Sequence, residues 1–260
     1  MKCLIIAAGQ GSRLQSLAPS KPLAQVAGRP LIEHVVCRAR AGGATEFVVV
    51  TGYEARGIEE FLGSFGGSLG IPIACARNEE WARPNGVSVL AAAPHLGGEF
   101  LLLMSDHLFD PAILRMLVEE EMGSAALKLA VDYGISNPLI DLDDATKVEA
   151  DANGRIVRLG KTLESYNAID TGLFRAGPAL FEAIGRSIAR GGQGSLSEGV
   201  QLLADVGKAR VLDIGERWWI DVDDPRALAL AEEHLRVAED VVWRGSAAAD
   251  SGKDGARAKT

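Results

Sequence analysis

Cysteine is scarce: three residues, Cys3, Cys37 and Cys75, stand in a chain of 260. An odd number, with two in apparent strands, excludes a disulfide framework and reads as reduced, buried thiols of a cytosolic protein. No run of eighteen apolar residues occurs, which excludes a membrane-spanning helix. No secretory leader is visible, because the apolar start is short and runs into a glycine loop. A cytoplasmic location without membrane insertion is therefore expected. Positive charge is in deficit, with 27 Lys and Arg against 35 Asp and Glu and a formal charge of −8. Binding a nucleic-acid backbone needs a basic face, so nucleic acid is excluded as a partner. Small anionic substrates stay open, since local cations decide them. Aromatics make up only 5%, which leaves little for a cage around a quaternary ammonium, although Trp81, Tyr133, Tyr166, Trp218 and Trp219 could build one. No internal repeat is present.

What is there begins at the first residues. Lys2-Cys3-Leu4-Ile5-Ile6-Ala7-Ala8 is an apolar run bounded by Gly9 and Gly11, the pattern of a buried strand ending in a tight turn. Small residues in that turn leave backbone N–H groups open, and Arg13 and Lys21 follow as fixed cations. Open amides plus cations after a strand make a cradle for phosphates. It is not the dinucleotide fingerprint, whose third glycine position holds Leu14, and no Walker-type GK[ST] follows at the required spacing.

Strand and helix then alternate. Helices are expected from Pro30 to Ala41, Ala55 to Ser64, Val87 to Ala93 and Pro111 to Glu121, with Asn85 a plausible cap for the third. Strands are expected at Phe47 to Thr51, Ile71 to Ala76 and Phe100 to Met104. Short apolar strands alternating with helices give an α/β fold, a mostly parallel sheet covered on both faces, whose ligands sit beyond the carboxyl ends of the strands. Gly9, Gly52 and Asp106 all fall there. Beyond about residue 130 the pattern changes. A hairpin is expected at Lys147 to Val157 with Asn153-Gly154 as its turn, then a strand at Tyr166 to Phe174. Helices follow at Pro178 to Arg190 and Ser195 to Asp205, a strand at Ala209 to Ile214, and a last helix from Pro225. Residues 1–243 read as one domain, with a ligand-binding half at 1–130 and a small mixed lid at 131–224. The Ala/Gly/Ser/Lys-rich tail at 244–260 reads as disordered.

The segment Ala7-Ala8-Gly9-x-Gly11-x-Arg13-Leu14 with Lys21-Pro22 resembles the nucleotidyltransferases that make NDP-sugars and CDP-alcohols. The resemblance implies a Rossmann-like fold of the GT-A kind. It implies that Ala7, Ala8, Gly9, Gly11, Ser12, Arg13 and Gly52 line a nucleotide site. Asn78 in the loop Arg77-Asn78-Glu79, with Asn85, Gly86 and Ser88, matches where the family holds base and ribose. Ser88 sits in a helix's first turn, where the dipole and free N–H groups favour polar ligands.

Asp106 ends a strand at the sheet's carboxyl edge, well placed to hold a hard divalent ion. The alternative, a cap for the following helix, suits Asp110 better. Asp224 before Pro225 is the natural cap of the last helix. Asp221 and Asp223 then share one face of an extended segment, and the Trp-x-Asp pattern resembles the family's second metal carboxylate, with Asp221 favoured. Mg²⁺ is the implied cofactor.

The acceptor is read from Lys147 and Glu149, Gly160-Lys161-Thr162, and Tyr166-Asn167-Ala168-Ile169-Asp170-Thr171-Gly172. Sugar-nucleotide enzymes carry Glu-Lys-Pro and Asn-Ala-Gly at the corresponding places. The departure resembles the inositol-1-phosphate cytidylyltransferase branch over about residues 1 to 235. It implies CTP and an alcohol phosphate as substrates, Lys161 on the acceptor phosphate and Asp170 on ring hydroxyls, with Lys147, Glu149, Asn167 and Thr171 nearby. In thermophilic members this domain is fused to a membrane-embedded transferase, so a separate membrane CDP-alcohol phosphotransferase is expected to use the product. A monomer or homodimer is expected.

Both substrates are strongly anionic, so the transfer rests on neutralisation and positioning. Lys21 and Arg13 would stabilise the pentavalent centre and departing pyrophosphate, beside a metal on Asp106 and Asp221. Sugar-1-phosphate and phosphocholine enzymes are the rival readings within this chemistry. A non-catalytic nucleotide-binding regulator is the rival of another class.

Overall fold

The computed structural model describes residues 1–14, 18–135, 137 and 140–236. The strands in chain order are β1 (Lys2–Ala7), β2 (Gln25–Val26), β3 (Arg29–Pro30), β4 (Glu46–Thr51), β5 (Ile73–Arg77), β6 (Phe100–Met104), β7 (His107–Phe109), β8 (Leu127–Asp132), β9 (Lys147–Ala150), β10 (Ile156–Gly160), β11 (Ala168–Ala176), β12 (Ala209–Asp213) and β13 (Trp219–Asp221). The helices are α1 (Leu31–Ala41), α2 (Ala55–Leu69), α3 (Asn85–Ala91), α4 (Pro111–Glu119), α5 (Ala179–Ala189) and α6 (Leu196–Ala204), followed by helix at 225–236.

Among the described residues the central sheet has nine strands, with the path β10-β9-β11-β6-β1-β4-β5 and β8 and β12 joining through β11. β1, β4, β5 and β6 run parallel, as expected of strands joined by helical crossovers. Alternation along β1 sends Cys3 and Ile5 to one face and Leu4 and Ile6 to the other. The first face packs under α1, α2, α4 and the last helix, the second under α3, α5 and α6. No described helix is long and apolar enough to cross a membrane.

The mixed strands expected of a lid extend this sheet. β11 pairs antiparallel with β6 through Leu173 to Ala176, and on its other side with β8. β8 is not read from the sequence, and the boundary drawn at residue 130 falls inside it. Its apolar run is broken by Lys128, which is nonetheless buried, its ammonium 2.6 Å from Glu120 and donating to the Glu121 carbonyl at 2.7 Å. The disordered tail expected at 244–260 lies outside the described residues.

Several helix ends follow their caps. Asp110 accepts from Ala112 N–H at 2.8 Å, and Asp224 accepts from Ala227 N–H at 2.7 Å. Ser195 and Glu198 form a reciprocal capping box at α6. Asn85 differs from its expected role. It is the first residue of α3, and its side chain accepts from Leu196 N–H at 3.0 Å, tying α3 to α6.

α2 runs five residues beyond its expected end at Ser64, to Leu69. Gly66 and Gly67 weaken helix propensity, but Phe65 and Gly66 are buried and tertiary packing prevails. The helix stops at Gly70 in the left-handed region, φ 62°. Its glycines are not equivalent. A Cβ at Gly63 would meet nothing within 4 Å, whereas one at Gly66 would lie 2.9 Å from the Ile71 carbonyl oxygen. Gly63→Ala should therefore stabilise the protein by about 0.5–1 kcal/mol, and Gly66→Ala should destabilise it by about 1–3 kcal/mol. Opposite shifts of the thermal midpoint would be the expected result, and equal shifts would contradict this packing.

Candidate active site

The site begins at the turn after β1. Gly11 has φ +59°, and a Cβ there would lie 2.3 Å from the Lys21 Cβ. Only glycine both turns the chain and admits the Lys21 stem so closely. Lys21 opens a short 3-10 turn and is 7% exposed. Its ammonium meets Asp106 Oδ2 at 2.6 Å, pairs with Asp223 Oδ1, and lies 3.8 Å from Asp221 Oδ1.

These carboxylates are far apart in sequence and meet through a small ribbon. β7 pairs antiparallel with β13, setting His107 opposite Asp221, and Val222 N–H donates to the Asp106 carbonyl at 2.8 Å. His107 thereby enters the site, its Nδ1 2.7 Å from Asp106 Oδ1 and 3.8 Å from Asp221 Oδ1. The imidazole stacks on Trp219, and Trp219 Nε1 donates to Asp132 at 2.9 Å. A register shift in β11 places Gly172 against the other side of His107, where a Cβ would lie 2.6 Å from the ring.

Burial by itself would raise the Asp106 carboxyl, but Lys21 and His107 hold it well below the ordinary carboxylate range. Asp221 is raised, because burial outweighs the attraction of His107 and Lys21. Its Oδ1 is buried and finds no hydrogen-bond partner. Burial would lower His107, yet Asp221 and Asp106 bring it up to about 9. One ligand atom each from Asp106, His107 and Asp221 lie within 4.8 Å of one another. Two carboxylates, one with an orphaned oxygen, suit a hard divalent cation. Asp223 is outside this group and faces the cations, reaching Arg13 at 2.7 Å as well as Lys21.

Two cavities open from this point. One, of about 410 Å³, is lined by Gly9, Gly11, Ser12, Arg13, Trp81, Arg83 and Ser88. The other, of about 570 Å³, is lined by Asp141, Asp143, Asp144, Lys161 and Asp170. Arg13, Asn85, Met104, Asp106 and Asp223 line both.

The remaining residues singled out by sequence divide between wall and scaffold. Ala7 and Ala8 are buried, the Ala8 carbonyl accepting from Tyr53 N–H at 3.0 Å, and a Cβ on Gly52 would meet that carbonyl at 2.9 Å. Asn78 is buried and donates to Ser88 at 2.9 Å, while Gly86 backs on the Gly194 carbonyl. Lys147 donates to the Lys161 carbonyl at 2.8 Å. Glu149 pairs with Arg158 at 2.6 Å, Asn167 closes on the Ala150 backbone, and Thr171 donates to the Ala130 carbonyl at 2.8 Å. Lys147, Glu149, Asn167 and Thr171 line neither of these two cavities.

His107 and Asp144 were not singled out by sequence. His107 adjoins Asp106, a signal that was available. Asp144 sits in a turn between β8 and β9 and pairs with both Arg13 and Lys161, which hold its carboxyl down at about 2. Nothing in its spacing marks it.

Asp170 has its carboxyl pushed up to about 6 by burial, partly offset by a 2.7 Å hydrogen bond from Gly172 N–H. A raised folded pKa means that ionising Asp170 opposes folding. The penalty is absent below about pH 4, grows as pH rises to about 6, and is complete above it. Asp170→Asn keeps an oxygen for Gly172 N–H and should melt on the order of a few degrees higher than wild type at pH 7.5. The difference should vanish at pH 4, and a stabilisation that persists there would have another cause.

Comparison with known proteins agrees with this geometry. The chain is 38% identical to a bifunctional IPC transferase and DIPP synthase of Rubrobacter xylanophilus, over 88% of this chain and 50% of that protein. It is 33% identical to a CMP-5'-(3-aminopropyl)phosphonate synthase of Streptomyces rubellomurinus, over 86% of this chain and 37% of that protein. The chain thus spans about half the length, or less, of these two curated relatives. The solved inositol-1-phosphate CTP transferase of T. maritima superposes with a TM-score of 0.80 at 27% identity, covering 92% of this chain and 97% of that one. The MobA-like NTP transferase domain model matches residues 3–148, and the chain belongs to that nucleotidyltransferase family.

Proposed function

We propose that this chain is a cytidylyltransferase that joins CTP to an alcohol phosphate, inositol-1-phosphate foremost, and releases pyrophosphate. The observation that carries the reading is the buried Lys21 ammonium in the wall of the smaller cavity, paired with Asp106 and Asp223, which line both cavities. The name of the T. maritima relative, an inositol-1-phosphate CTP transferase, supports the substrates.

An acceptor phosphate oxygen attacks the α-phosphorus, the bond to the β-phosphate oxygen breaks, and the electron pair leaves with pyrophosphate. The acceptor is already an anion, so no side-chain nucleophile is needed. The protein's work is positioning and electrostatic stabilisation. Lys21 is held rigid and desolvated, ready to meet charge that grows in the transition state. Arg13 lines both cavities and serves the departing phosphates. Lys161 faces the acceptor phosphate, and Asp170 accepts from acceptor hydroxyls. Asp106 and Asp221 would hold Mg²⁺, which supplies charge neutralisation and Lewis acidity when bound. A cytoplasmic setting, and a membrane phosphotransferase that consumes the CDP-alcohol, belong to the same reading.

A second acceptor class is favoured by one observation. Asp141 and Asp143 add negative charge to the larger cavity, which would suit an ammonium as well as hydroxyls. A pyrophosphate-release screen of four nucleoside triphosphates decides the matter. Its acceptors are inositol-1-phosphate, glucose-1-phosphate, phosphocholine and 3-aminopropylphosphonate. CTP with inositol-1-phosphate should lead by about tenfold or more, a margin reached when buried polar groups select a hydroxyl-bearing partner. A faster aminophosphonate or phosphocholine reaction would replace the inositol assignment, and no turnover with any pair would favour a nucleotide-binding regulator.

The metal assignment has its own test. Asp221→Asn removes the charge of a carboxylate whose buried Oδ1 lacks a hydrogen-bond partner. Without metal it should melt at or above the wild-type temperature, and it should lose the Mg²⁺-dependent thermal shift seen with CTP. EDTA should stop the wild type, with Mg²⁺ restoring it. Full activity in EDTA would remove the metal from the site.

A further inference from the structure

The reading above leaves Asp144 without a part. It belongs to a turn at 141–145, closed by Asp144 and Ala145 N–H groups on the Asp141 carbonyl at 3.2 and 2.8 Å, and by Asp143 N–H on Asp141 Oδ1 at 3.0 Å. One carboxylate oxygen of Asp144 meets Lys161 Nζ and the other meets Arg13 Nη2. The two cations belong to different loops, Arg13 after β1 and Lys161 after β10. Asp144 is the carboxylate that spans them. Arg13 keeps Asp223 as a second partner, whereas Lys161 has no other carboxylate partner among the described residues.

A carboxylate that reaches two cations through two oxygens occupies the place that a phosphoryl group would take. We propose that Asp144 is an internal competitor for substrate phosphate, which joins the nucleotide and acceptor half-sites until it is displaced and so makes the two substrates bind cooperatively. The proposal rests on the assignment of Arg13 to the nucleotide and Lys161 to the acceptor. Half of the Arg13 side chain and 60% of that of Lys161 are exposed, and ion pairs so exposed are weak enough to exchange. A triphosphate that takes Arg13 leaves Asp144 with one cation instead of two. The acceptor phosphate then meets a weaker rival at Lys161. Reciprocity requires that the acceptor help the nucleotide equally. In the free protein each substrate's apparent affinity is reduced by the fraction of molecules in which its cation is open.

Calorimetric titration of the whole chain tests this with inorganic phosphate and α,β-methylene-CTP, each alone and in the presence of the other. Wild type should bind phosphate roughly threefold to tenfold more tightly when the analogue is saturating. Asp144→Asn should bind phosphate alone as tightly as wild type does with analogue, and the analogue should then add less than about twofold. Asp144→Glu, which keeps the charge, should keep the coupling. Weaker phosphate binding by Asp144→Asn, or coupling that survives in it, would show a fixed clamp and overturn the proposal. The wild-type measurement needs no variant, and absence of coupling there is equally fatal. Binding of both probes without coupling overturns this inference alone, whereas a chain that binds neither overturns the proposed function with it.

Discussion

A lysine ammonium removed from water must be met by negative charge, and in this chain that requirement shapes the whole site. Lys21 is buried, so removing its partners would leave an uncompensated charge at a cost of several kcal/mol. Its partners come from the ends of β6 and β13, more than a hundred residues apart. The β7–β13 ribbon fixes their separation, and the Gly11 turn fixes the approach of the lysine stem. Each is an element whose change would move the ammonium away from its carboxylate partners.

Around Lys21 the charges are nearly matched without any ligand. Asp106, Asp144, Asp221 and Asp223 face Lys21, Arg13, Lys161 and an imidazole that the carboxylates keep protonated at neutral pH. A matched cluster folds stably, but any anion that enters it must compete for cations that are already taken. The pairs made by the half-exposed Arg13 and Lys161 exchange more readily than those made by the buried Lys21 ammonium. Arg13 and Lys161 are thereby the more accessible cations of the cluster, and Lys21 is the buried one.

The sequence made one half of this plain and hid the other. β1, its glycine turn, Arg13 and Lys21 lie within one short stretch, and Asp106 closely follows the apolar run of β6, so local pattern suffices to read each. The caps at Asp110 and Asp224 are legible because each carboxylate serves backbone groups within three residues. β8 was hidden by Lys128, whose burial depends on Glu120 and the Glu121 carbonyl and not on its neighbours along the strand. The length of α2 was hidden because packing at Phe65 and Gly66 outweighs a poor propensity. Asp144 carries no local mark at all, since its partners lie in loops that only the folded sheet brings together.

The acceptor side shows why such residues resist reading one at a time. Three consecutive positions in β11 do three different things. Asp170 lines the larger cavity, Thr171 is buried and tied to the Ala130 carbonyl of β8, and Gly172 makes room for His107 against Asp106. The β11 register shift between Asp170 and Phe174 spans this stretch. A substitution that reshapes the larger cavity at Asp170 therefore acts on a backbone that also seats His107 beside Asp106 and Asp221. The wall of the larger cavity and the seating of His107 beside Asp106 are carried by one stretch of strand.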